Sequence, residues 1–283
     1  MKTLNLENVG NVLDARLTEN RTIENVVTKS FMQTERYSNV SEKFQVIQPA
    51  MIGGVLSENG FKLVSLITGK AKHEDKKDFQ RTIARYRELD AFEVDGLHLD
   101  LLYISNHMGR GRDRLILSFM RGVCANQWNT GKGFDAVYIR HSGNPIADLR
   151  DGIARILGQR SKLVQVIQKM QNVTLTAGQI ETLARQYAEI RLDGVENVID
   201  VDFKSLAKIH RQDDAKLDLF TVANVLQENV IRSRLKYRIK TVDSNGQTVE
   251  RNQSTRVLRG SSVKLIDLNA KMFDVAMQYL NAA

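Results

Sequence analysis

The hydrophobic period of the chain changes near Pro145, and this restricts the possible folds more than any other feature of the sequence. Before that point, apolar residues come in short β-branched and aliphatic runs at 61–71 (FKLVSLITGKA), 97–105, 114–121 and 134–141 (FDAVYIRH). After it they recur at three- and four-residue steps, at Leu149, Ile153, Ile156, Leu157, Leu163, Val164 and Ile167, which is the stripe of an amphipathic helix. Strands followed by helices, without alternation of the two, predict an α+β chain. The expected layout is an antiparallel β-sheet of hairpins followed by a helical segment, then a C-terminal β-hairpin and a closing helix.

Local signals fill in this outline. Residues 1–36 read as an N-terminal arm, with helical spacing over 23–31. A short helix at 51–56 stops at Asn59-Gly60, a pair that tolerates the left-handed backbone. Residues 79–89 (FQRTIARYREL) fit either period, and the alternation of Arg81, Ile83, Arg85 and Arg87 favours a strand paired with 61–71. The runs at 97–105 and 114–121 bracket a glycine-containing turn and predict a hairpin. Residues 37–146 are the expected sheet core. Residues 147–283 are the expected helical part, packed on the core as one unit. Its helices are predicted over 147–170, with a kink at Gly158, then over 176–190 behind a Thr176 cap, 201–209, 217–231 and about 268–280. Between the last two, Arg232, Arg234, Lys236, Arg238 and Lys240 alternate with apolar residues and lead into Asn245-Gly246, a preferred hairpin turn. The basic hairpin is therefore expected over 231–258.

The chain holds 41 Lys and Arg against 33 Asp and Glu, a net charge of +8 that favours polyanionic partners. Cys124 is its only cysteine, so no intramolecular disulfide forms. It reads as a small buried residue, not as a nucleophile paired with His141. The first residues lack a signal-peptide run and no stretch is apolar enough to span a bilayer, so a cytoplasmic protein without membrane contact is expected. No Walker loop, dinucleotide fingerprint or Gly-x-Ser-x-Gly elbow occurs. The five histidines, His73, His98, His107, His141 and His210, show no metal-ligand spacing. A non-enzymatic protein without cofactor or metal is expected. A metal-dependent nuclease using Asp100 and Asp113 is the third-ranked reading.

Three groups of cations carry the charge. The first includes Lys70, Lys72, Arg81, Arg85 and Arg87, with Tyr86 between two arginines as a base-stacking candidate. The second is Arg110, Arg112, Arg114 and Arg121 at the hairpin tip and return strand. The third is the run Arg232, Arg234, Lys236, Arg238 and Lys240. On one strand face these five would form a cationic strip able to meet several backbone phosphates. Among the aromatics, Tyr103, Phe119, Trp128 and Tyr138 lie near the first two groups and are read mainly as core. Nucleic acid, with single-stranded DNA favoured, is the expected partner. The alternative is an acidic host protein met by a non-enzymatic interaction protein.

Several segments resemble a phage- and plasmid-borne family defined only as a domain of unknown function, the 932 family. They are Leu101 to His107 with Asn106, the Arg121-x-x-Cys124-x-Asn126 strand end, and the strand ending at His141. Further on come the helix bearing Asn224, Gln227, Glu228 and Asn229, and then Arg256 and Leu268-Asn269. The resemblance spans residues 36–281. It implies a mobile-element setting and gives these residues no known role. The family's hairpin tip is acidic, whereas this chain reads His107-Met108-Gly109-Arg110. The layout also resembles annealing proteins of the Rad52 type, which implies a homo-oligomer, a ring in that case, acting in recombination.

Overall fold

A computed structural model describes residues 29–69, 71–90, 92, 94, 96–121, 126–258 and 263–282. The N-terminal arm before Lys29, Lys70 and Cys124 lie outside the described residues. The chain forms two compact units, one made of residues 1–121 and 134–161, the other of 122–133 and 162–283. Segment 134–161 thus belongs wholly to the first unit, on both sides of the boundary expected at 146. The α+β class stands, with two antiparallel sheets and a C-terminal hairpin and helix.

The first unit is built on four strands in sequence order: β1 (Phe61–Thr68), β2 (Thr82–Glu88), β3 (Leu97–Ile104) and β4 (Asp113–Arg121). Strand β1 pairs with β2, settling the ambiguous 79–89 segment as a strand. A short strand, β6 (Val137–Ile139), pairs with the start of β4. Leu99, Leu101, Tyr103, Leu115, Leu117 and Phe119 are buried on one sheet face. Helix α1 (Pro49–Glu58) packs beside β1, and α2 (Pro145–Leu157) beside β6. Gly152 permits that second approach, because a Cβ there would lie 2.3 Å from a methyl of Val137. Asn144 caps α2, its side chain accepting from Ala147 N at 3.3 Å, and Pro145 opens the first turn. The long helix expected over 147–170 is two helices, since α2 ends at Leu157 and α3 (Arg160–Asn172) starts afresh beyond Gly158.

The second unit contains β5 (Asn126–Asn129), α4 (Ala177–Leu192), α5 (Leu219–Ile231) and α6 (Val263–Ala282). Its sheet has the order β7 (Val198–Asp202), β8 (Lys236–Val242) and β9 (Thr248–Ser254). Thr176 and Gln179 cap α4 reciprocally, as its sequence suggests. The expected 201–209 helix is absent. Val198 and Val201 pair with β8, and Asp202 then accepts from Ser205 N and closes a short 3-10 turn instead. Every residue of α5 from Leu219 to Val230 is buried, including Asn224, Gln227, Glu228 and Asn229. Among the described residues no helix is long and apolar enough to cross a membrane.

Candidate nucleic-acid interface

At one end of the first unit's sheet, a single fully buried carboxylate, Asp113, receives three donors. Asn106 N donates to its Oδ1 at 2.7 Å, His141 Nε2 reaches the same oxygen at 3.0 Å, and the Tyr103 hydroxyl donates to Oδ2. Burial, followed by the charge and hydrogen bond of Asp113, pushes the Tyr103 hydroxyl well above its usual range, so it stays a donor. Three chain segments meet here: the β3–β4 hairpin, the end of β6, and the stretch before α1. The last joins through Gln45, whose N–H donates to His141 O at 2.7 Å and whose carbonyl faces His141 Nδ1 at 3.0 Å. Phe44 stacks on the His141 ring at 4.2 Å. His107 is buried nearby, and neither ring nitrogen makes a hydrogen bond of ordinary geometry. Desolvation outweighs the pull of Asp113 and lowers its pKa.

These buried bonds hold a basic outer surface. Strand register sets Arg114 opposite Tyr138, and Tyr138 is 53% exposed. Arg112 lies just before β4 and Arg140 just after β6, both exposed, and Arg110 is exposed at the hairpin tip. Gly109 has φ +67°, and a Cβ there would lie 2.7 Å from a Val40 methyl, so the stretch before α1 lies against this tip. That stretch adds the exposed Arg36 and Lys43. Among the described residues no carboxylate lies within ion-pair distance of Arg110, Arg112 or Arg140.

The other two expected cation groups are largely neutralised. Tyr86 is fully buried, so it offers no stacking surface, which corrects its assignment. Arg87 forms a bidentate pair with buried Asp100 at 2.8 and 3.1 Å, and Arg85 lies 3.8 Å from the same carboxylate. A strand with alternating polar residues can be buried on both faces, which the alternation alone does not reveal. Arg81 and Lys72 are exposed.

The five-cation strip is also corrected. Arg232 ends α5, and Ser233 at φ 65° turns the chain before β8 begins at Lys236. Arg232 and Arg234 therefore belong to no strand. Arg232 Nε lies 3.2 Å and Arg234 3.9 Å from Glu228, which Arg211 grips at 2.7 and 2.8 Å. Lys236, Arg238 and Lys240 do share an exposed face, but their neighbours are acidic. In register Asp202 faces Lys236 and Glu250 faces Lys240. Arg238 pairs with Asp200 at 3.0 Å and Glu250 at 3.3 Å. Three carboxylates offset three cations, so no net positive strip remains.

The resemblance motif on α5 is a polar interior lock. Asn224 accepts from Trp128 Nε1 at 2.9 Å and donates to Phe220 O. Gln227 donates to Gln127 O and to Asn269 Oδ1. Asn229 donates to the carbonyls of Leu206 and Lys208 and accepts from Arg234 at 2.6 Å. These bonds satisfy most of the motif's buried polar atoms, although Gln227 Oε1 has no hydrogen-bond partner among the described residues. Asn106 anchors Asp113, Arg121 is buried in β4, and the Arg256 carbonyl accepts from Arg191; Asn126 lies in β5. The sequence reading missed Tyr103 and His141 as partners of Asp113, and Arg140 as a surface cation. The Tyr138-Ile139-Arg140 alternation at a strand end was the available signal. Among the described residues no cluster of three or more His, Cys, Asp or Glu is arranged to hold a metal.

Two relatives from Escherichia coli (strain K12), the UPF0380 protein YafZ and the UPF0380 protein YfjQ, are each 21% identical over 213 residues. Each alignment covers 75% of this chain and 77% of the relative. No solved structure matches, and nothing in these comparisons supports the likeness to Rad52-type annealing proteins. The family described as Domain of unknown function (DUF932) matches residues 36–256, most of the chain, and the protein belongs to that family.

Proposed function

We propose that this protein binds nucleic acid, with single-stranded DNA as the favoured ligand, through the surface formed by the hairpin tip, β4 and β6. Its role is binding, not catalysis. The observation that carries this reading is the pairing of exposed Tyr138 with Arg114 in register, beside Arg112 and Arg140. Stacking needs an exposed aromatic face, and Tyr138 supplies one where Tyr86 and Tyr103 are enclosed. The guanidiniums of Arg112 and Arg140, with no carboxylate within ion-pair distance among the described residues, supply bidentate phosphate donors. The mixed-charge sheet of the second unit plays no part in this contact.

The test is a filter-binding series with single- and double-stranded DNA and RNA at two salt concentrations, alongside a mass measurement of the free protein. Tyr138→Ala is expected to cost about 1–3 kcal/mol on a single strand, the worth of one stacked base. Arg112→Gln with Arg140→Gln should reduce the salt slope by about 0.7 for each lost phosphate contact. Lys236→Gln with Arg238→Gln should leave affinity unchanged. Equal affinity for the Tyr138 and Arg112/Arg140 variants and the parent would overturn the assignment.

A further inference from the structure

We infer that His141 is a protonation switch that sets the grip of the basic surface, and this rests on the nucleic-acid reading above. Both ring nitrogens of His141 face oxygens that accept: Nδ1 meets the Gln45 carbonyl and Nε2 meets the Asp113 carboxylate, each at 3.0 Å. A neutral imidazole carries one N–H and one lone pair. Whichever tautomer it takes, one nitrogen then points its lone pair at an oxygen. Only the imidazolium satisfies both partners together. Its charge also compensates Asp113 inside the protein, where an unpaired charge is costly.

The groups facing this ring are few and consistent with the scheme. Asp113 faces it from β4, with its other donors supplied by Tyr103 of β3 and by the backbone of Asn106. His107 of the hairpin is close enough to interact electrostatically, and burial keeps it from competing for a proton. Phe44 and Gln45 complete the surroundings from the stretch before α1. Burial opposes charge on His141, but the hydrogen bond and charge of Asp113, helped by the Gln45 carbonyl, raise its affinity for a proton.

Loss of the proton has a defined mechanical result. The carboxylate is the stronger acceptor, so the remaining proton stays on Nε2. Nδ1 then turns a lone pair toward Gln45 O, and the 36–45 stretch is held there by Gln45 N–H to His141 O and by the Phe44 stack. That stretch carries Arg36 and Lys43 and leans on the tip that bears Arg110. The surface therefore grips an anionic strand more firmly below the folded pKa of His141 and less firmly above it. Because that pKa is raised, the linked stability is complete below the unfolded histidine value and is lost as pH rises through the folded one.

Two measurements on the full chain test this. The first is ¹⁵N-edited NMR of the histidine side chains across pH, with His141→Gln used to assign its signals. His141 should show both ring nitrogens protonated to a pH above the ordinary histidine range, while His107 should lose its proton below that range. The second is oligo-dT affinity at fixed salt across the same pH range. The parent should weaken about 2- to 10-fold as His141 deprotonates, the worth of one hydrogen bond, and His141→Gln should show no such step. A neutral His141 at or below the ordinary range overturns the switch whatever binds. A protonated His141 with no oligo-dT binding at any pH overturns the nucleic-acid reading and leaves the protonation geometry standing. Binding by the parent with no pH step overturns the coupling between them.

Discussion

Replacing Glu228 with glutamine separates an internal lock from a ligand surface. Glu228 is 3% exposed and takes two short bonds from Arg211 and one from Arg232, with Arg234 at 3.9 Å. Glutamine keeps one acceptor, but it turns an amide N–H₂ toward guanidinium donors and leaves positive charge without its partner. Removing one member of a buried ion pair costs about 3–5 kcal/mol. Arg211 and Arg232 are 24% and 46% exposed, so water takes up part of the released charge. We therefore expect a loss of about 2–3 kcal/mol. At about 2–4 °C per kcal/mol for a chain of this size, Tm should fall by about 4–12 °C. Calorimetry of parent and variant reads this directly. Burial acts to raise the Glu228 pKa, yet Arg211, Arg232 and Arg234 hold it below the usual carboxylate range. Its stabilisation is present above the unfolded glutamate pKa and is lost as pH falls through the depressed folded value, so the variant should also flatten the acid limb of stability. Oligo-dT affinity of the folded variant should match the parent. An unchanged Tm, or a selective loss of affinity at full stability, would refute the view that Arg232 and Arg234 serve the interior.

Three further substitutions probe the interior of the first unit. Gly152→Ala places a methyl 2.3 Å from Val137 Cγ1 and should destabilise by about 1–3 kcal/mol. Val137→Ala should recover part of that loss, and a double-mutant cycle with additive effects would contradict the close approach of α2 to β6. The Tyr86 hydroxyl is buried without a hydrogen-bond partner among the described residues, so Tyr86→Phe should be neutral or stabilising by up to about 1 kcal/mol in urea unfolding. A clear loss of stability would reveal a partner for that hydroxyl, and a loss of oligo-dT affinity would restore Tyr86 to the interface.

Period and punctuation made much of the secondary structure legible. The Asn59-Gly60 stop and the Thr176 cap each act within a few residues and are found in place; the hairpin at Asn245-Gly246 also forms, but only Gly246 takes a positive φ, so it is not the two-residue type I′ turn that Asn-Gly favours. Burial on both faces was harder to read. Arg85, Tyr86 and Arg87 look like a solvent-facing strand until Asp100, on a different strand, is seen to neutralise one side. The run from Arg232 to Lys240 shows a second difficulty. Its alternation is real only from Lys236 onward, because Ser233 adopts a left-handed backbone that serine rarely takes, and no sequence rule anticipates it. Carboxylates that offset the strip, such as Asp200 and Glu250, come from separate strands and meet it only through sheet register. The role of Asp113 was hidden for the same reason. It depends on Tyr103, Asn106 and His141 converging from separate segments, and its neighbour Arg112 drew attention only as a surface charge.

The path of the chain between the two units has a consequence for how the protein is made. Residues 122–133 belong to the second unit, and the chain returns at 134–161 to finish the first. During synthesis, the sheet that begins at Phe61 must wait for β6, and with it Tyr138, before the outer edge of β4 at its start is covered. A nascent chain halted at Arg121 would present that edge unpaired, an invitation to aggregate. Neither unit can be excised by a single cut, so a protease nick near residue 122 or 133 should leave two fragments that each hold part of the same unit.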